Sequence, residues 1–163
     1  MDALQPGAQP GVLIANLRYA RRAEVARFQR ADLVFNGVDH GGLSYEVRVF
    51  LNVPTATGAT PRDPTKGYAG RFVVFGHGGC FGELGHCDVP SVRRDPTDLR
   101  PGHPLVPQTK IVTITTALER ILDKRGTLET VALVPWIYNG FRRKNGCKPG
   151  VFKMSDVTLR TYG

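Results

Sequence analysis

Nowhere does this chain of 163 residues run through about eighteen consecutive apolar residues, so no membrane-spanning helix is expected and a membrane is not an expected partner. Its N-terminus places no apolar stretch of about seven residues behind a basic start, so no signal peptide is read and the cytoplasm is the expected compartment. Histidine is scarce: His40, His77, His86 and His103 are the four, all in stretches that read as loops. Cysteine numbers three, an odd count that leaves at least one thiol unpaired within the chain and agrees with a reducing compartment. Acidic residues are outnumbered, 14 Asp and Glu against 22 Lys and Arg, for a formal charge of +8. Such a potential attracts nucleic acid, acidic surfaces and anionic lipid alike. The basic residues gather at Arg18, Arg21, Arg22, Arg27 and Arg30, then at Arg142, Arg143, Lys144 and Lys148. Neither group interleaves with several aromatics as a base-stacking surface does, so nucleic acid is not the expected partner.

What the chain has in quantity is turn chemistry, with 19 glycines and 12 prolines. A single domain of this length buries roughly two-thirds of its unfolded surface and needs no disulfide or metal to fold. Many short strands joined by turns are expected, hence an all-β class: an antiparallel, jelly-roll-like β-sandwich with one short helix.

Residues 1–30 read as a flexible leader followed by a basic linker, and residues 31–163 as the sandwich domain. In the linker, Arg18, Arg21 and Arg22 form either a solvated face or a contact with another domain. Ala31 to Val38 is a strand, and Asp39-His40-Gly41-Gly42 supplies a turn. Tyr45 to Leu51 is the clearest strand: Tyr45, Val47, Val49 and Leu51 make an apolar face, and Glu46, Arg48 and Phe50 a mostly polar one. After a turn-rich loop from Asn52 to Gly67, strands are expected at Phe72–Phe75 and Lys110–Thr115. A helix follows at Thr116–Lys124, capped by a threonine and ended at Gly126. Glu129–Val134 and Val151–Thr161 close the set, with an aromatic cluster of Trp136, Ile137, Tyr138 and Phe141 after the first of them. That cluster is either a rim closing over the core or an exposed partner contact, the former being the commoner fate of aromatics.

Between Gly76 and Asp88 one glycine-rich loop holds two of the four histidines and two of the three cysteines. His77, Cys80, His86 and Cys87 carry imidazole and thiolate donors that suit Cu(I) or Zn(II), although the spacing is not a standard zinc pattern. A Cys80–Cys87 disulfide, or two reduced thiols beside backbone-bonded histidines, is the preferred reading, since such clusters are more often structural. A nucleophilic Cys80 with His77 or His86 as base lacks a third orienting group that the sequence can place. Cys147, in the second basic segment, reads as a free surface thiol.

Four segments, taken in order, resemble the C-terminal β-sandwich of tyrosinase and polyphenol oxidase-like type-3 copper proteins. Ser44-Tyr45-Glu46-Val47 lies where that family has Lys-Phe-Asp-Val, and Ala69-Gly70-Arg71-Phe72 where it has Ala-Gly-Ser-Phe, with His77 soon after. Lys110 through Leu122 resembles the strand and short helix that follow, and Val131-Ala132-Leu133-Val134-Pro135 the family's Leu-Val-Pro strand end. Ser44 and Arg71 depart from the family residues. The resemblance covers about Ala31 to Tyr162.

It implies a non-catalytic shielding or accessory domain, with no cofactor of its own, over a binuclear copper domain that is covalently attached or a separate chain. Copper would belong to that partner, and the cysteine loop would be part of the cover. A substrate-mimicking plug for a copper pocket is a hydrophobic or phenolic side chain at a loop tip, and Phe81 holds that position. Alternative readings are a copper chaperone or buffer using the His77–Cys87 loop, and an anion-binding β-sandwich module. A type-3 copper pair takes six histidine ligands, and this chain has four. Purified chain is therefore predicted to oxidise neither phenols nor catechols at any copper loading, and copper-dependent turnover abolished by one histidine substitution would contradict that prediction.

Overall fold

In the computed structural model, residues 4–20, 28–76, 107–138 and 146–163 are described. They form β1 (Gln5–Pro6), β2 (Leu13–Ala20), β3 (Arg30–Val38), β4 (Tyr45–Leu51), β5 (Tyr68–Val74), β6 (Gln108–Thr113), α1 (Thr115–Arg125), β7 (Thr127–Trp136) and β8 (Asp156–Tyr162). All pairings among them are antiparallel, in a five-stranded sheet ordered β1-β2-β7-β4-β5 and a three-stranded sheet ordered β6-β3-β8. The expected all-β sandwich with one short helix is the fold found.

Alternation determines what each face buries. Tyr45, Val47, Val49 and Leu51 point from β4 into one core with Leu33 and Phe35 of β3, Phe72 of β5 and Leu133 of β7, as the sequence periodicity predicts. Leu118 and Leu122 join the same core from α1, which carries the chain from β6 in one sheet to β7 in the other. On the opposite side of the five-stranded sheet, Phe50, Ile14, Ala132 and Val134 meet Ala56, which the loop between β4 and β5 lays over them. The loop thus makes a third layer. For that reason every residue of β4 is buried, although its sequence alternates.

Several boundaries differ from the sequence reading. The segment expected to be a flexible leader and linker contains β2, whose Leu13–Asn16 pair with Thr130–Leu133 of β7 and whose Ala15 is 3% exposed. The short apolar run Val12–Ala15 is what sheet burial selects there; the arginines that suggested a linker begin only at Arg18. The helix has no side-chain cap. Thr115 Oγ1 instead accepts from Ala31 N at 3.0 Å, tying the helix start to β3. Gly126, with φ 72°, takes the left-handed conformation at the helix end and its N–H bonds Leu122 O at 2.9 Å. β7 continues through Pro135 to Trp136, because β2 pairs only as far as Leu133 and the proline lies beyond the point where an amide is needed on that side. β8 begins at Asp156 rather than Val151.

Val47 has no exposed surface, whereas Thr158 lies on the open side of β8. Val47→Ala is predicted to lower the unfolding free energy by about 1–3 kcal/mol, and Thr158→Ala to change it by less than about 0.5 kcal/mol. Equal effects of the two in a denaturant titration would refute the assigned faces.

Candidate interaction site

The outer face of β4 carries Glu46 and Arg48, two residues apart and therefore on the same side. The ladder sets Arg71 of β5 directly across from Arg48, and Trp136 of β7 directly across from Glu46. Two arginines facing each other repel, and the carboxylate between them resolves the conflict. Glu46 Oε1 accepts from Arg48 Nε at 2.7 Å and from the Tyr138 hydroxyl at 2.7 Å, and Oε2 accepts from Arg71 Nη1 at 2.6 Å. Arg48 Nη1 donates to Gly58 O at 3.1 Å, and its guanidinium carbon stands 4.4 Å from the centre of the Trp136 ring. Gly58 lies against the edge of that ring, where a Cβ would collide.

Glu46 is 1% exposed and Arg48 7%, while the side chain of Arg71 is half-exposed. Burial alone would push the Glu46 carboxyl up, but hydrogen bonds from Arg48, Tyr138 and Arg71 outweigh it and hold the group below its ordinary range. A carboxylate so acidic and so fully engaged is a poor proton acceptor. The cluster therefore fixes structure: it holds Tyr138 and the Gly58 turn onto the sheet.

Next to this fixed cluster the same face becomes apolar and open. Val73 lies opposite Glu46 across the β4–β5 ladder, and Phe75 follows by alternation. Phe75 is 77% exposed, Tyr138 53%, Val73 40% and Leu43 39%. Gly76 N bonds Ser44 Oγ at 3.0 Å and the glycine packs on the backbone of Gly42 and Leu43, which brings Leu43 to the same end of the sheet. Among the described residues β5 is the last strand of its sheet on that side. A patch of large apolar side chains on a rigid support is the ordinary form of a protein contact.

The residues singled out from sequence are distributed unevenly. Trp136 and Tyr138 come together at this site, Trp136 half-buried under Arg48 and Tyr138 at the surface. Arg18 is exposed on β2. Arg21, Arg22, His77, Cys80, Phe81, His86 and Cys87 lie outside the described residues. Asp39 supports the turn reading, since its Oδ1 accepts from Gly41 N at 2.8 Å. Cys147 is half-buried rather than a surface thiol: it donates to Pro10 O at 3.3 Å, packs beside the Ile14–Phe50 cluster, and burial pushes its pKa up. Among the described residues no three metal-ligating side chains gather. Glu46, Arg48 and Arg71 were not read as a site; the available signal was a Glu–Arg pair inside the most regular strand, with a third charge in the segment that resembles its neighbour.

Removing the Glu46 charge leaves Arg48 buried without its counter-charge, so Glu46→Gln is predicted to cost about 3 kcal/mol at neutral pH. The folded carboxyl titrates below its unfolded value of about 4.3, so its stabilisation is complete above that value and is lost as pH falls through the folded pKa. The stability difference between the natural chain and Glu46→Gln should therefore be large at neutral pH and shrink in acid. A difference independent of pH would disprove the assigned charge state.

No protein-family model matches the sequence, and no curated protein matches it. Solved structures do. A recombinantly expressed latent aurone synthase, a polyphenol oxidase co-crystallised with hexatungstotellurate(VI), superposes with a TM-score of 0.51 at 18% identity, over 95% of this chain and 24% of that one. A second crystal of that description, also soaked in H2O2, gives 0.51 at 18% identity over 99% of this chain and 25% of the other. The chain thus spans about a quarter of the polyphenol oxidase chains it resembles. At this identity the likeness is one of fold, and the sandwich described above is the fold that a part of a latent polyphenol oxidase also adopts.

Proposed function

We propose that this chain is a non-catalytic accessory domain that covers a binuclear copper domain of the tyrosinase type, attached to it or separate. The observation that carries the reading is the open apolar patch of Phe75, Tyr138, Val73 and Leu43, seated on a β4–β5 face that Glu46 and Arg48 hold rigid. A cover has to present a defined surface and keep its own shape when the partner is absent, and a buried ion-pair network beneath an apolar patch meets both needs. The likeness in fold to part of a latent polyphenol oxidase supports the same reading. In this role copper is the partner's cofactor, and the loop from His77 to Cys87 belongs to the cover. The odd cysteine count supports a cytoplasmic setting.

The test begins with the reading frame around this chain, where a histidine-rich copper domain is expected in the same or an adjacent frame. Co-purified with that domain, the chain should suppress catechol oxidation, and Phe75→Asp should weaken the suppression by about tenfold, the effect of losing one anchor side chain. Phe75 is exposed, so the substitution should leave the fold intact. Unchanged suppression by the variant would take the contact off this patch, and no suppression by the natural chain would overturn the cover; a neighbourhood with no copper domain, together with one metal ion bound per isolated chain, would favour copper handling instead.

A further inference from the structure

At the far end of β4 from the apolar patch, a groove runs between α1 and the turn at Pro64–Lys66. It consists of two hollows of about 230 Å³ and 320 Å³ that share Pro64, Tyr68, Ala117 and Arg120. Lys66, Arg120, Lys124 and Arg125 line the first hollow, and among the described residues no carboxylate lines either one. Its walls are otherwise largely apolar, with Leu51, Val53, Ala117 and Ile121 contributing. Gly67, at φ 90°, shapes the entrance: a Cβ there would press within 2.5 Å of Val53 Cγ2 and 2.8 Å of Leu51 O. Asn52 lies on the wall but is committed elsewhere, since its side chain bonds Thr127 O and the backbone N–H groups of Glu129 and Thr130.

The ordinary explanation for Lys124 and Arg125 is that cations at a helix C-terminus offset its partial negative charge. That accounts for about half a charge and for neither Lys66 nor Arg120. Asp63 stands outside the lining; its carboxyl accepts from the Thr65 backbone and hydroxyl, both at 2.8 Å, and Lys66 and Arg120 add to holding it acidic. Arg120 Nη1 donates to Pro64 O at 3.3 Å. One carboxylate beside four cations leaves the groove with a positive excess.

We infer that this groove binds a small aromatic carboxylate, its ring against the Val53, Ala117 and Ile121 side chains and its charge between Arg120 and Lys124. The site stands apart from the proposed cover surface and does not rest on it. Each hollow lies near or below the lower end of the volumes that take drug-sized ligands, about 300 Å³, so a single ring is the fitting size. Inorganic phosphate is a poorer match to the first hollow, because its walls beside the four cations are largely apolar and the helix end there is the C-terminus; the free N–H groups of the α1 N-terminus, which suit phosphate, lie at the second hollow, away from Lys124 and Arg125.

Titration of the full chain with benzoate, followed by amide NMR shifts, tests this directly, with benzyl alcohol and inorganic phosphate as separate probes. Saturable shifts confined to residues of α1 and the Leu51–Tyr68 segment are expected. Binding should be about tenfold weaker for Arg120→Gln, about tenfold weaker for Lys124→Gln, and weaker at high salt. Lys124 is exposed, so its variant keeps the test valid if the Arg120 variant loses stability. Benzyl alcohol binding as well as benzoate would refute the role of charge; phosphate binding as well as benzoate would refute the role of the apolar wall. No saturation with benzoate, or shifts indifferent to both substitutions, would overturn the site altogether.

Discussion

Three donors converge on the outer face of β4 because one carboxylate has enough lone pairs to serve them. Glu46 takes Arg48, Arg71 and Tyr138 on its two oxygens, and through Arg48 it reaches the Gly58 carbonyl and the face of Trp136. Every strand that borders β4 contributes: Arg71 comes from β5 and Trp136 from β7, and the loop that crosses above supplies Gly58. Burying charge is expensive even when it is paired, so stability alone does not favour this network over well-packed apolar side chains. What an apolar replacement would not do is hold the loop by a directed bond to one carbonyl. The network therefore accounts for why the layer over the sheet lies in one position, which hydrophobic burial by itself leaves loosely specified.

That loop in turn explains the rest of the architecture around β4. With Ala56 of the loop packed on Phe50, Ile14, Ala132 and Val134, the five-stranded sheet is covered on both sides around β4, and the smaller sheet needs to cover only one. Strands successive in the chain mostly alternate between sheets, so among the described residues the sequence neighbours that pair are β1 with β2 and β4 with β5. The chain must bring distant segments together before most of its ladders exist, which raises the entropic cost of early contacts. Asn52 eases one such junction. At φ 53°, a rare conformation outside glycine, it ends β4 and caps the start of β7 with both ends of its amide.

The strands visible in the sequence are those whose alternation is uninterrupted and whose ends are marked. Tyr45–Leu51 satisfies both conditions, with Gly41 and Gly42 before it and Pro54 after, and its bounds agree with the structure. The helix was equally legible because Leu118 and Leu122 share a face and Gly126 stops it. β2 lacks that alternation: Leu13, Ile14 and Ala15 are apolar in succession, Arg18 begins a run of arginines, and its partner β7 lies at the other end of the chain, where local pattern has no access. The candidate site failed for a different reason. Period-two alternation reports that the two faces of a strand differ, but not what the second face meets. Glu46 and Arg48 look the same in sequence whether they face water or a loop. Only the position of the Asn52–Gly67 segment, a long-range fact, distinguishes the two cases.

β4 is also what separates the two surfaces assigned here. Its seven residues span about 20 Å, with the apolar patch beside Tyr45 and the basic groove beside Leu51. Coupling between distant sites requires an element with two arrangements that both sites bias. β4 is ill suited to that: hydrogen-bonded on both edges, buried on both faces, fastened near one end by Glu46 and just past the other by Asn52, it can shift only by breaking ladder bonds and the ion-pair network together. An occupant of the groove would stabilise the folded chain by mass action, and it would do so without altering the patch. The same rigidity that suits one end to the proposed cover thus leaves the other end free for the ligand inferred at the groove.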